Sequence, residues 1–193
     1  MIKNGSPRED RPVVVESSTN AGPAGARWPA YAAAWCALIF AVLTLFWALG
    51  GTFLLDTIGQ QVLRLARARD TTFVVAGWVS ALLKVAGAVL ALALVQPWGG
   101  RIPRRLLLGT ATTGAVVLVL YGGLQIVVQV LVLVGVVATS QEMDRRGFYG
   151  HLFIWDPWFL VWGVLLGWAT FGYARRPRIP RHPGSSSGRA AQS

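Results

Sequence analysis

Apolar residues in this chain are gathered into four long runs, separated by short polar stretches and flanked by polar tails. The runs cover about Trp28 to Gly50, Thr71 to Gln96, Leu106 to Thr139 and Pro157 to Tyr173. Crossing a bilayer core of about 30 Å takes roughly 20 apolar residues in a helix. Backbone polar groups in hydrocarbon must be satisfied within the segment, so each run predicts a transmembrane helix. None shows the period-two alternation of a barrel strand. The expected fold is an all-α membrane protein, a four-transmembrane-helix bundle occupying residues 27–176. Residues 1–26 and 177–193 are too poor in apolar side chains to fold alone and read as disordered tails. The polar start contains Glu9, Asp10 and Glu16 and precedes no cleavage-like site, so the first run reads as an uncleaved span.

Between the first two runs lies TFLLDTIGQQVLRLARARD, residues 52–70. Leu55, Ile58, Val62 and Leu65 fall at helical spacing, and Arg64, Arg67 and Arg69 cluster toward the end. This pattern predicts an amphipathic helix lying on the outer leaflet. Gly50 and Gly51 let the chain bend sharply out of the first span. Small residues mark close helix approach: Gly163 and Gly167 on the fourth span, and Ala32, Ala33, Ala34, Ala37 and Ala41 on the first.

Composition narrows the class. The chain is 54% hydrophobic and 13% charged, with a net charge of +10. In a soluble protein that charge would suggest nucleic acid, but its distribution argues for topology instead. With both termini inside, the inner segments hold twelve basic residues against three acidic ones, a net of +9. The outer loops hold five of each sign, and Lys84 within the second span supplies the remaining charge. Basic residues flank spans on the untranslocated side, so the expectation is a multi-pass protein of a bacterial cytoplasmic membrane with cytoplasmic termini. Trp28, Tyr31, Trp98 and Tyr173 then fall near inner span ends, and Trp47, Trp155 and Trp158 near outer ones, as interface anchors. Membrane lipids are the expected partners, with anionic headgroups at the inner leaflet. A second copy or another membrane protein completes the expected company; nucleic acid is not part of it.

The single cysteine, Cys36, excludes an intrachain disulfide and a thiol-based metal cluster. It reads as a small span residue, with acylation the alternative. Asp156-Pro157 opens the fourth run. Aspartate is a favoured N-cap, and proline is favoured just after it, so Asp156 is expected to cap that helix. His151 lies in the preceding loop with Glu142, Asp144, Arg145 and Arg146. Asp56, His151 and Asp156 make a candidate outer-face polar cluster. The bland reading of Asp56 is a solvated or arginine-paired charge. The other histidine, His182, lies in the inner tail, so no metal site and no cofactor is expected.

Lys84 stands mid-span, where a lysine costs on the order of 3 kcal/mol and usually faces a partner or a cavity. Tyr121, Gln125 and Gln129 follow one another at i, i+4 on the third span. Spans two and three are consecutive and antiparallel, so Lys84, Tyr121, Gln125 and Gln129 are expected to form an intramembrane polar patch between them. The structural use of such a patch is interhelical hydrogen bonding; the functional uses are a ligand or lipid-headgroup site and proton movement.

FWALGGTFLLDTIG at 46–59 and WDPWFLVWGVLLG at 155–167 resemble a family of small four-span membrane proteins known as a domain of unknown function and seen largely in actinobacteria. The resemblance implies a four-helix membrane fold and carries no activity. Sixteen arginines against two lysines fit the GC-rich genome such an origin implies. No nucleophile–base pair, phosphate loop or metal-ligand spacing is recognisable. The expected function is therefore a non-catalytic accessory, lipid-interacting or partner-binding bundle. The alternative is a membrane-embedded enzyme or small carrier with a polar site on the outer side.

Overall fold

The computed structural model describes residues 27–137 and 144–176. Both tails, Glu142 and His182 lie outside the described residues. Four helices among those described are long and apolar enough to cross a membrane. In chain order the elements are α1 (Trp28–Ala48), α2 (Gln60–Arg67), α3 (Thr71–Ala93), α4 (Arg104–Leu133), α5 (Arg145–Gly150), a π-helical turn (His151–Trp155) and α6 (Asp156–Ala174). Short 3-10 turns at Leu55–Thr57 and Pro97–Arg101 complete the connections. At one end, here the loop end, lie residues 49–70 and the start of the fourth helix. The other end holds the start of α1, the connection from α3 to α4 and the end of α6.

Neighbours in the bundle run α3–α1–α6–α4, which is not the chain order. The central pair is correspondingly the more buried: 44% of the α1 window and 39% of the Arg145–Ala174 window, against 17% for α3 and 11% for α4. Side-chain size explains the pairing. Ala30, Ala33, Ala37 and Ala41 of α1 are buried, as are Ala81, Ala88 and Ala91 of α3, so the two backbones approach closely. On α4 and α6 the approach is closer still. A methyl group at Gly122 would lie 2.6 Å from the Asp156 carbonyl oxygen, and one at Gly163 would lie 2.8 Å from the Val119 nitrogen. The outward faces of α3 and α4 carry Val75, Leu82, Leu83, Val117, Leu120 and Leu124, all exposed. Apolar surface on that scale fits a multi-pass membrane protein.

Helix boundaries at the loop end depart from the sequence reading. The 52–70 segment is two pieces, because Gly59 turns at φ 138° before α2 begins at Gln60. The buried residues of α2 are therefore Leu63 and Ala66, while Leu65 is exposed. Arg69 (φ 53°) ends α2 in a left-handed cap, with Asp70 N–H bonded to the Leu65 carbonyl at 3.1 Å. Asp70 then caps α3 by accepting from Phe73 N at 3.1 Å. Gly50 (φ 107°) makes the bend out of α1.

The fourth helix starts twelve residues before the expected Pro157. It is continuous from Arg145, and Asp144 is its cap, accepting from Gly147 N at 3.3 Å. Proline is tolerated inside the helix because the turn before it is wide: Asp156 N–H bonds the His151 carbonyl, an i to i+5 step. A wide turn absorbs the donor that proline lacks.

Candidate functional site

Asp156 is not the expected cap. It lies within the helix and is 0% exposed, facing α4. Capping at a span start would have left it at the helix end; the earlier start, capped by Asp144, carries it about three turns into the helix. Gln129 Nε2 donates to Asp156 Oδ2. The other carboxylate oxygen, Oδ1, lies 3.5 Å from His151 Nδ1. His151 Nε2 in turn lies 3.2 Å from the Ile58 carbonyl oxygen. The histidine thus bridges the buried aspartate and the loop that follows α1.

That loop is held by further contacts. Trp155 Nε1 donates to Thr57 Oγ1 at 3.1 Å and reaches the Thr57 carbonyl at 3.3 Å. Gly150 packs against the same carbonyl so tightly that a side chain there would overlap it. Asp56 pairs with Arg146 at 3.0 Å on the rim. The proposed outer cluster is therefore brought together in part: His151 meets Asp156, while the Asp56 carboxylate turns outward to an arginine. Asp144 also accepts from Gln60 N at 2.9 Å, so one carboxylate caps both α5 and α2. The Gln60 N–H, and then that of Gly147, hold its carboxyl below the usual carboxylate range.

The expected patch between spans two and three does not form. α3 packs on α1 and barely meets α4. Lys84 is buried, donates to Ser80 Oγ at 2.6 Å and stands 4.4 Å from the centre of the Phe40 ring on α1. Tyr121 is 47% exposed, with its ring edge on Phe159 at 5.1 Å. Gln125 is half-buried on α4. Gln129 leaves that group for Asp156. Two of the expected interface tryptophans are also interior: Trp47 donates to the Phe53 carbonyl at 2.8 Å, and Trp155 stacks on Phe40 at 5.6 Å. Their indole N–H groups find protein carbonyls, so the headgroup region is not needed to satisfy them.

Sequence reasoning missed Thr57 and the Ile58 carbonyl, because a backbone partner has no residue signature. It also passed over Asp144 as a cap. The signal was there: GFYGHLFIW, at 147–155, is apolar and aromatic enough to extend the fourth span backward.

Beside the buried pair, α1, the turn at Phe53 and Leu54, and the segment through Ile154 and Trp158 enclose an open groove of about 530 Å³ with wholly apolar walls. A second recess of about 520 Å³, lined by Arg145, Arg146 and Tyr149, shares Ile154 with it. Among the described residues no group of three or more His, Cys, Asp or Glu could hold a metal ion.

Fold and site together define an all-helical protein with four membrane-compatible spans and a buried polar pair near one end. Residues 37–166 match the family model described as a protein of unknown function, DUF3995, and the chain belongs to that family. No curated protein and no solved structure matches it.

Proposed function

We propose that this is a non-catalytic, lipid-interacting protein of a bacterial cytoplasmic membrane that holds an anionic phospholipid at its loop end. One acyl chain lies in the groove beside Val42, Phe46 and Trp158, and the phosphate meets Arg145. The single observation that carries this reading is that a wholly apolar groove and a recess lined in part by Arg145 and Arg146 have Ile154 as a common wall. Lipid tails are as apolar as the groove, so burial alone gives no preference for it over bulk lipid. Selection must come from the headgroup, through charge-assisted hydrogen bonds to a guanidinium. Arg146 is already paired with Asp56, whereas Arg145 has no acidic partner among the described residues. The net +9 of the termini side supports cytoplasmic termini, which turns this site to the outer leaflet, and the arginine bias supports an actinobacterial source. At the inner leaflet, the basic terminal end adds a less specific attraction for anionic lipid.

Native mass spectrometry of protein released gently from membranes tests the reading. Wild type should retain anionic phospholipid; Val42→Trp, which fills the groove, and Arg145→Glu should each reduce the retained fraction severalfold. Equal retention by all three proteins defeats the proposal. A small carrier is the second reading, favoured by the full burial of Asp156 next to a histidine that reaches the loop end.

A further inference from the structure

The contacts of His151 settle where its hydrogens must be. Ile58 offers a carbonyl oxygen to Nε2 at 3.2 Å. A carbonyl only accepts, so Nε2 carries a hydrogen. Nδ1 and Asp156 Oδ1 lie 3.5 Å apart, and neither has a hydrogen-bond partner. A neutral imidazole facing an ionised carboxylate would therefore set two lone pairs against each other. With Asp156 at 0% exposure, little solvent would relieve that conflict. One added proton removes it. Placed on Nδ1 it makes an imidazolium paired with the carboxylate; placed on Oδ1 it makes a carboxylic acid that donates to the imidazole.

We propose that His151 and Asp156 form a proton-binding site within the bundle, holding one proton between Nδ1 and Oδ1. The π-helical turn creates the site. In a regular α-helix, residues five apart diverge by about 140° around the axis. The i to i+5 hydrogen bond from Asp156 N–H to the His151 carbonyl brings both side chains to one face. Such turns are frequent at functional sites. Gln129 occupies Oδ2, which leaves Oδ1 for the proton. The His151 side chain is 31% exposed, so protons exchange with the loop end through the imidazole. The surrounding charges do not replace the proton. From α4, Tyr121 is 47% exposed and sets its ring against Phe159. Arg146 is spent on Asp56 at the rim. Lys84 of α3 is bonded to Ser80 and lies against the ring of Phe40 of α1.

The chain has two histidines, so His182→Gln leaves His151 as the only imidazole. In that background, reconstituted in nanodiscs, nitrogen NMR of labelled histidine and infrared difference spectra of labelled aspartate count the proton. At pH 7 an isolated imidazole is protonated in about a quarter of molecules. The pair should hold one proton per chain at that pH, seen either as imidazolium or as a protonated Asp156 carboxyl. In Asp156→Asn the histidine nitrogen spectrum should change, and in His151→Gln the aspartate carboxyl signal should change. A bare Nδ1 beside an ionised Asp156 in the parent protein overturns the proposal, and this measurement needs no substitution at either site residue. A histidine spectrum unaltered in folded Asp156→Asn overturns it as well. Lipid retention is read separately, so loss of the lipid site leaves this result standing.

Discussion

A methyl group at Gly122 tests the contact between α4 and α6 that aims Asp156. The added carbon of Gly122→Ala would lie 2.6 Å from the Asp156 carbonyl oxygen and 2.7 Å from Leu160 N. Ordinary van der Waals contact begins at 3.4 Å, so the shortfall is 0.8 Å on the first atom. Both struck atoms are backbone, and no rotamer change can relieve them. The helices must part or shear, and overpacking of this kind costs about 1–3 kcal/mol. Against that stands the helix propensity gained by replacing glycine, up to about 1 kcal/mol. A net loss of up to about 2 kcal/mol follows. Gly109→Ala is the matched control on the same helix, since a carbon there meets nothing within 4 Å. Thermal or SDS unfolding in detergent micelles, followed by circular dichroism, should place Gly122→Ala below wild type and Gly109→Ala at or above it. If Gly122→Ala proved as stable as Gly109→Ala, the close approach of α4 and α6 would be refuted.

Asp144→Ala removes the cap from two helices and should cost about 1 kcal/mol for each, with faster amide exchange at Gln60 and Gly147. The Asp144 carboxyl is depressed in the folded protein, so its stabilisation is present above the unfolded value of 3.8 and is lost as pH falls through the lower folded value. Wild type should therefore lose stability below about pH 4 by a margin that Asp144→Asn lacks, which acid melting curves would measure. Lys84→Met keeps the stem volume and removes a buried amine whose only polar partner among the described residues is Ser80. Its melting temperature in detergent should match or exceed wild type, since the lost cation–π contact is smaller than the desolvation relieved; failure of the bundle to assemble would contradict this. Reporter fusions after residues 70, 101, 146 and 180 should read out, in, out and in, and any other alternation would reject cytoplasmic termini.

The sequence by itself determined the number of spans, because hydrocarbon forces each long apolar run into a helix whatever its neighbours are. It also marked the bend at Gly50 and the small-residue faces of α1 and α6, since both follow from what glycine and alanine lack. Lys84, His151 and Asp156 were legible as unusual for the same reason: a polar group in apolar surroundings stands out locally. Their partners were not legible. Lys84 was expected against Tyr121 and Gln125 because consecutive spans are often neighbours, yet α3 lies on the alanine face of α1, so the lysine meets Ser80 and Phe40. Asp156-Pro157 carried a strong local signal for a helix start, but a wide turn keeps the helix running through the proline and rotates the carboxylate inward to Gln129. His151 reaches a backbone carbonyl 93 residues away, an atom that every residue type supplies equally. Tertiary structure alone decided those meetings, because which faces come together depends on the packing of whole helices. The choice of a few glycines and alanines fixed that packing at a distance from the residues it brought together.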